Sequence, residues 1–291
     1  MKKRIRTIVV KFLALVMVLG FCVGSTADDL EDYYIQHALQ RYFTLPLTAR
    51  TLGMAGSSVV TDRDVSSVAG NPAGLGWMQM PQLSLNYEYS ELSGDEIFIP
   101  AGVPGGPPTT DGVDEDFNRG SFLAALPLSR GEYGVLGLGA SMFESDVDDY
   151  LDTDTDGLRL HLGYGLIVED IWSIGYSLTY FDTEEDSLAT DFEMDDGFRH
   201  TLGVQVEAAR YCFMGLSIFF ASADPESEIL TVGDLDGDAD SWGFDLGAAW
   251  QLAEKTTLST SFDYANYSTD VDLPAGIVIP GPGTAFTGDK D

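Results

Sequence analysis

Basic residues and cysteines are scarce in this chain, and long apolar runs are scarcer. Fifteen Lys plus Arg stand against 47 Asp plus Glu, a net charge of −32 at pH 7. So acidic a surface excludes nucleic acid and other polyanions as default partners and implies heavy hydration. The two cysteines are Cys22 and Cys212. The first falls in a segment that export would remove, so no intrachain disulfide is available and stability has to come from elsewhere. The only histidines are His37, His161 and His200. None sits in a recognisable nucleophile motif, so no catalytic residue, no enzyme activity and no cofactor are expected. Beyond residue 27 no apolar run approaches the ~20 residues of a membrane helix. Taken alone, these absences describe a soluble secreted protein. The periodicity argues otherwise.

Residues 1–27 read as a secretory signal peptide. Lys2, Lys3, Arg4, Arg6 and Lys11 supply the positive end, "FLALVMVLGFCVG" the short apolar stretch, and Ser25-Thr26-Ala27 the small residues for cleavage. Bulky Phe21 before Cys22 argues against a lipid-attachment site. Removal of this segment leaves ten basic against 47 acidic residues, a net charge of −37.

From residue 82 the chain alternates with period two, the pattern of strands with one apolar face. Leu83, Leu85, Tyr87 and Tyr89 oppose Ser84, Asn86 and Glu88. Leu158, Leu160, Leu162, Tyr164 and Leu166 oppose Arg159, His161, Gly163 and Gly165. Trp172, Ile174, Tyr176, Leu178 and Tyr180 oppose Ser173, Gly175, Ser177 and Thr179. Leu202, Val204 and Val206 oppose Arg199, Thr201, Gln205 and Glu207, and Trp242, Phe244, Leu246, Ala248 and Trp250 oppose Ser241, Asp245 and Gln251. Weaker versions occupy 119–128, 133–143, 211–221 and 256–267. The result is nine candidate strands of about ten residues, the length a tilted strand needs to cross a bilayer.

Two features separate a membrane barrel from a soluble sandwich. Short links at 129–132, 168–170, 209–210 and 252–255 alternate with long ones at 91–118, 144–157, 182–197 and 222–240, the rhythm of periplasmic turns and external loops. Aromatic residues also bracket the apolar face: Trp172 and Tyr180, and Trp242 and Trp250, are each eight positions apart. At ~3.3 Å per residue and ~40° of tilt such a pair spans roughly 20 Å, near the ~25 Å apolar band of outer-membrane barrels. The expected fold is therefore all-β, a transmembrane antiparallel β-barrel in the outer membrane of a Gram-negative bacterium. With the N-terminus periplasmic, every long loop lands outside.

The four long links carry 7, 7, 8 and 7 acidic residues. "DTDTDG" (Asp152 to Gly157) resembles the start of an EF-hand loop, but the closing position is Gly163 within a predicted strand, so no metal site is assigned. Dense oxygen ligands leave weak Ca²⁺ or Mg²⁺ binding by these loops open beside a merely hydrated surface. Arg119, Arg159 and Arg199 each lie near the outer end of an inward-running strand and point inward by parity. They are candidates for binding an anionic head group such as a carboxylate, the alternative being neutralisation of nearby loop acids. Phe213 and Phe219 face the same way, as lumen packing or as apolar ligand contacts.

Between signal and first strand lies a segment, 28–81, rich in glycine and small apolar residues. Arg50, Leu52, Gly53, Met54, Ala55 and Gly56, then Asp64, Ser66 and Ser67, then Asn71-Pro72-Ala73-Gly74-Leu75 make this stretch resemble the FadL-type outer-membrane transporters of hydrophobic compounds, together with the related PorV-like proteins. The resemblance implies a 14-stranded barrel whose N-terminal segment forms a plug. It implies that Gly53, Met54, Gly56, Asn71, Pro72, Ala73 and Gly74 belong to that plug, and that ligands leave sideways at a kinked strand. Gly134, Gly137 and Gly139 could permit such a kink. Against the family's 14 strands, 82–291 holds nine and lacks a terminal aromatic strand, so the barrel region reads as truncated at its C-terminus. The expected function is passive uptake of long-chain fatty acids or other hydrophobic compounds, with outer-membrane lipid as surroundings. The alternative is a PorV-like scaffold or shuttle with a secretion-machinery partner.

Overall fold

The computed structural model describes residues 58–61, 63–98, 109–148, 153–186, 190–209, 211–229, 233–253 and 256–272. The signal segment, the Gly53, Met54 and Gly56 part of the leader motif, and the region beyond Asp272 on which the truncation expectation bears lie outside the described residues. What is described is almost entirely one antiparallel sheet. Its nine strands are β1 (Gln82–Phe98), β2 (Thr109–Pro127), β3 (Val135–Asp148), β4 (Thr153–Val168), β5 (Trp172–Asp186), β6 (Thr190–Ala209), β7 (Cys212–Ile229), β8 (Gly233–Ala253) and β9 (Thr256–Asp272). They pair strictly in chain order, a meander compatible with a β-barrel. Among the described residues β1 and β9 have one hydrogen-bonded neighbour each. No helix among these residues is long and apolar enough to cross a membrane, which says nothing of strands.

Strand number agrees with the alternation, but strand length does not. The strands run from 14 residues in β3 to 21 in β8, rather than about ten. Most of what read as long acidic loops is strand: β1 and β2 stay in register from Gln82↔Ala125 to Phe98↔Thr109, and Asp154, Asp156 and Gly157 of the EF-hand-like phrase lie inside β4. Charge does not end a strand, because the backbone ladder needs only N–H and C=O groups. Connections at the two ends are thus less unequal than the sequence suggested. The asymmetry lies instead in acidic strand ends projecting past the apolar zone on one side.

The alternation does set the faces. Along β4, Arg159 and His161 are buried while Leu160 and Leu162 are 45% and 48% exposed. The same holds across the sheet: Leu83, Leu85, Phe122, Leu138, Tyr164, Ile174, Tyr176, Leu202, Phe220 and Trp242 stand exposed on one face. Ser121, Ser141, Ser173, Ser177, Thr179, Thr201, Gln205, Ser217 and Ser241 are buried on the other. We call these the open and the packed face. Val206 and Leu246 depart from expectation, being on the open side yet only 3% and 1% exposed. The register Trp172↔Val206↔Met214↔Ala248 forms one cross-strand row, and these side chains make a contiguous apolar cluster.

No register shift marks Gly137 and Gly139, two of the three glycines that could permit a kink. Gly134, at φ +82°, belongs to the preceding turn. Register shifts occur at Phe181/Thr183 in β5–β6, at Asp195/Phe198 and Glu207/Ala209 in β6–β7, and at Gln251/Ala253 in β8–β9.

At the acidic end Asp186 and Asp191 face one another across the β5–β6 tip. The hydrogen bond to Asp191, and then its charge, push the Asp186 carboxyl from 3.8 up to about 6. Between those values the folded tip holds a proton that the unfolded chain has released, so the tip gains stability as pH falls through 6 and loses it as pH rises. Amide hydrogen exchange at residues 183–186 and 191–194 should slow, after correction for intrinsic rates, between pH 7 and pH 5. Asp191→Asn should remove most of that difference.

Candidate functional site

The packed face carries two arrangements, one above the other. The lower is the seat of the leader. After a helical turn at Ser58–Thr61, two short 3-10 helices (Val65–Val68 and Pro72–Trp77) lie against the sheet. Asp64 caps the first by accepting from the Ser66 amide at 3.0 Å. Asn71 caps the second, with Pro72 in the first turn where its missing N–H costs nothing. The same Asn71 side chain donates to the carbonyls of Val59 (2.8 Å), Val204 (3.4 Å) and Leu216 (3.4 Å), and accepts from the Ala73 amide at 3.1 Å. One amide thus joins two parts of the leader to β6 and β7.

Glycines make room for it. Gly165, Gly175 and Gly203 are cross-strand partners on β4, β5 and β6. A methyl group at Gly175 would overlap the backbone of Pro72, and one at Gly203 would overlap the Asn71 side chain. Gly215 and Gly247, partners on β7 and β8, do the same for Val59 and Val60. Around this seat Val65, Val68, Leu75 and Met78 pack on Leu123, Ala125 and Val135. The Ser173 hydroxyl donates to the Ala73 carbonyl and Gln205 Nε2 to Val59 O. Of the leader motif, Asn71, Pro72, Ala73 and Gly74 are all buried here.

The upper arrangement is cationic. Arg119, Arg159 and Arg199 sit on alternate strands β2, β4 and β6 of the packed face, and the Arg119 and Arg199 charges act on Arg159. Arg119 Nη2 pairs with Glu88 of β1, while its Nη1 is buried with no hydrogen-bond partner among the described residues. Arg159 is 6% exposed. It lies 5.5 Å from the Phe143 ring centroid, and its Nη2 is likewise buried without a partner. Arg199 stacks on Phe219 at 4.0 Å. Arg119 is thus neutralised by an acid of the neighbouring strand, and Arg159 has no acidic partner among the described residues.

The structure separates the two phenylalanines. Phe219 belongs with Arg199, whereas Phe213 packs on Val59, Val60 and Ala249 and lies 3.9 Å beneath the Arg63 guanidinium of the leader. His161 is a member that the sequence reasoning left out, although its parity with Arg159, two positions away, was the available signal. It is 5% exposed; Nδ1 lies 2.9 Å from Thr179 Oγ1 and Nε2 is buried without a partner. His200 stays on the open face against the Tyr176 hydroxyl at 2.7 Å. Among the described residues no group of three or more His, Cys, Asp or Glu is placed to hold a metal.

No family model, curated protein or solved structure matches this chain. Its functional reading rests on its own residues.

Gly203→Leu should overpack the seat and cost about 1–3 kcal/mol. The denaturation midpoint should fall and protease should cut sooner within 58–78. Gly120→Leu, where an added Cβ meets nothing within 4 Å, should do neither. Asn71→Ala should cost about 1–3 kcal/mol by leaving buried carbonyls unpaired, read from the same unfolding curve.

Proposed function

We propose that this chain is an outer-membrane β-barrel of the FadL type, with the leader 28–81 as a plug, serving passive uptake of long-chain fatty acids or other hydrophobic compounds. One observation carries the reading: the sheet is inside out for a water-soluble protein. Large aliphatic and aromatic side chains occupy the open face, while serine, threonine, glycine and arginine fill the packed one. In water an exposed apolar surface of this extent would be an aggregation site; in lipid it is the surface a barrel requires. The polarity change along the open face supports the same reading. Leu85, Phe122, Leu160, Tyr180 and Phe198 are its upper apolar row. Beyond it Tyr87, two positions past Leu85 in β1, donates to Asn118, four positions past Phe122 in β2, and further up Tyr89 donates to Asp116. Tyrosines with hydroxyls among polar groups suit a membrane–water boundary.

The leader supports the transport assignment. The Asn71-to-Leu75 phrase, which carries the family resemblance, is also the part wedged deepest against the sheet. Neutral hydrogen bonds and small-residue packing hold most of the leader on the sheet, and its one described cation, Arg63, lies over the Trp77 and Phe213 rings. A scaffold for secretion would use the same barrel with a protein partner instead of a small ligand. Native mass spectrometry of the full-length protein distinguishes them, transport requiring co-purified lipid or hydrocarbon and the scaffold an associated protein.

Leu162→Arg, at the centre of the open face, should cost about 2–4 kcal/mol of folding stability in bilayers. Ser177→Ala on the packed face should change it by less than about 1 kcal/mol. Reversible denaturation in vesicles, read by heat-modifiable gel mobility, measures both. Equal effects, or a wild-type chain soluble without detergent, would overturn the membrane reading.

A further inference from the structure

We propose that the Arg63 side chain is a gate between leader and sheet, swinging between an aromatic slot and the Glu207 carboxylate. Its guanidinium carbon lies 3.9 Å from the Phe213 ring centroid and 4.5 Å from that of Trp77. One ring belongs to β7 and the other to the end of the second 3-10 helix, so the cation fills the space between wall and leader. Phe213 stands at the start of β7 and Glu207 near the end of β6. The slot therefore lies at the short-turn end of the packed face.

The walls of the slot are held in place. Phe213 packs on Val59, Val60 and Ala249. Trp77 follows Gly76, where an added methyl group would overlap Ser173 Oγ and the Leu166 backbone. Arg63 itself stands in the link between two seated pieces of leader. Before it, Val59 rests on Gly215 and Gly247. After it, Val65 joins the apolar cluster and donates its amide to Gln82 Oε1 at 3.2 Å, and Asp64 is committed to its cap. The flexible member is the long side chain of Arg63.

The slot satisfies that side chain only in part. Arg63 Nη2 and Trp77 Nε1 are both buried with no hydrogen-bond partner among the described residues. Two ring faces attract a desolvated guanidinium, but an unsatisfied charged donor offsets the attraction by an energy of similar size. Glu207 offers the alternative. It is the register partner of Phe213 across β6–β7, its amide donates to the Ile171 carbonyl at 3.0 Å, and its charge acts on Arg63. Swung onto this carboxylate, the guanidinium gains an acceptor and vacates the slot. A narrow apolar passage then opens beside the leader while the leader stays seated. Two positions of similar energy for one side chain are what such a gate requires. That the passage serves hydrophobic compounds rests on the transport reading above; the two positions of Arg63 do not.

The test uses the full-length chain labelled with 5-fluorotryptophan and folded in non-ionic detergent, the Trp77 fluorine signal being identified by Trp77→Phe. A side-chain swing is fast, so the line reports the average of the two positions. Glu207→Gln should move it toward the slot-filled limit and Phe213→Leu in the opposite direction. In an Arg63→Met background, where no charge is left to pair, Glu207→Gln should have no effect. A Trp77 line that ignores Glu207→Gln, or responds equally with and without Arg63, overturns the gate. In planar bilayers Arg63→Ala, which empties the slot, should raise conductance several-fold over the wild type. Equal conductance from a variant folded by gel mobility also overturns the gate, and Glu207→Gln carries the test should the Arg63 variants fail to fold. A chain soluble without detergent that shows the Arg63-dependent shift sinks the transport reading and spares the two positions. A detergent-requiring chain without that shift does the reverse.

Discussion

A peptide backbone can lie directly on a β-sheet only where the sheet has no side chains in the way, and it stays there only if its polar groups find partners. Both conditions meet at the row Gly165–Gly175–Gly203, where residues Asn71 to Ala73 rest on strand backbone. Buried amides and carbonyls left unpaired would cost more than packing of small side chains returns. Asn71, Ser173 and Gln205 provide the pairing. Fixing the leader at this level decides which face of the sheet is filled. The Arg119–Arg159–Arg199 wall lies on the same packed face, nearer the acidic strand ends than the leader.

Charge is distributed accordingly. Acidic residues crowd the projecting strand ends, as in the Asp114↔Asp148, Asp116↔Asp146 and Asp154↔Asp186 pairs. There water screens mutual repulsion. Cations are few, and those on β2, β4 and β6 point to the packed face, next to aromatic rings that accept a guanidinium face-on.

Much of this was legible beforehand. Strand number, the face of each alternating residue and the inward direction of the three arginines are consequences of a period of two, and the structure keeps them. Strand ends were not legible. Alternation of apolar with polar residues stops where the open face turns polar, but the hydrogen-bond ladder does not stop there, so β1, β2 and β8 run far into stretches that read as loops. The glycines of β3 illustrate a second limit. In sequence a glycine is equally a kink, a turn or a gap, and only the neighbouring leader shows that Gly137, lying against Val68 and Leu75, is a gap. Phe213 and Phe219 share parity and strand, yet one meets the leader and the other Arg199.

The sequence by itself determined a two-faced antiparallel β protein with a compact leader and an acidic rim. Those properties are local, set by side-chain alternation, turn residues and composition. Tertiary structure alone decided which inward residues lie under the leader and which lie beside the arginines, because that depends on register between strands far apart in the chain. His161 is the instance. Its parity was readable, but its unpartnered nitrogen beside Arg159 exists only once β3, β4 and β5 are aligned.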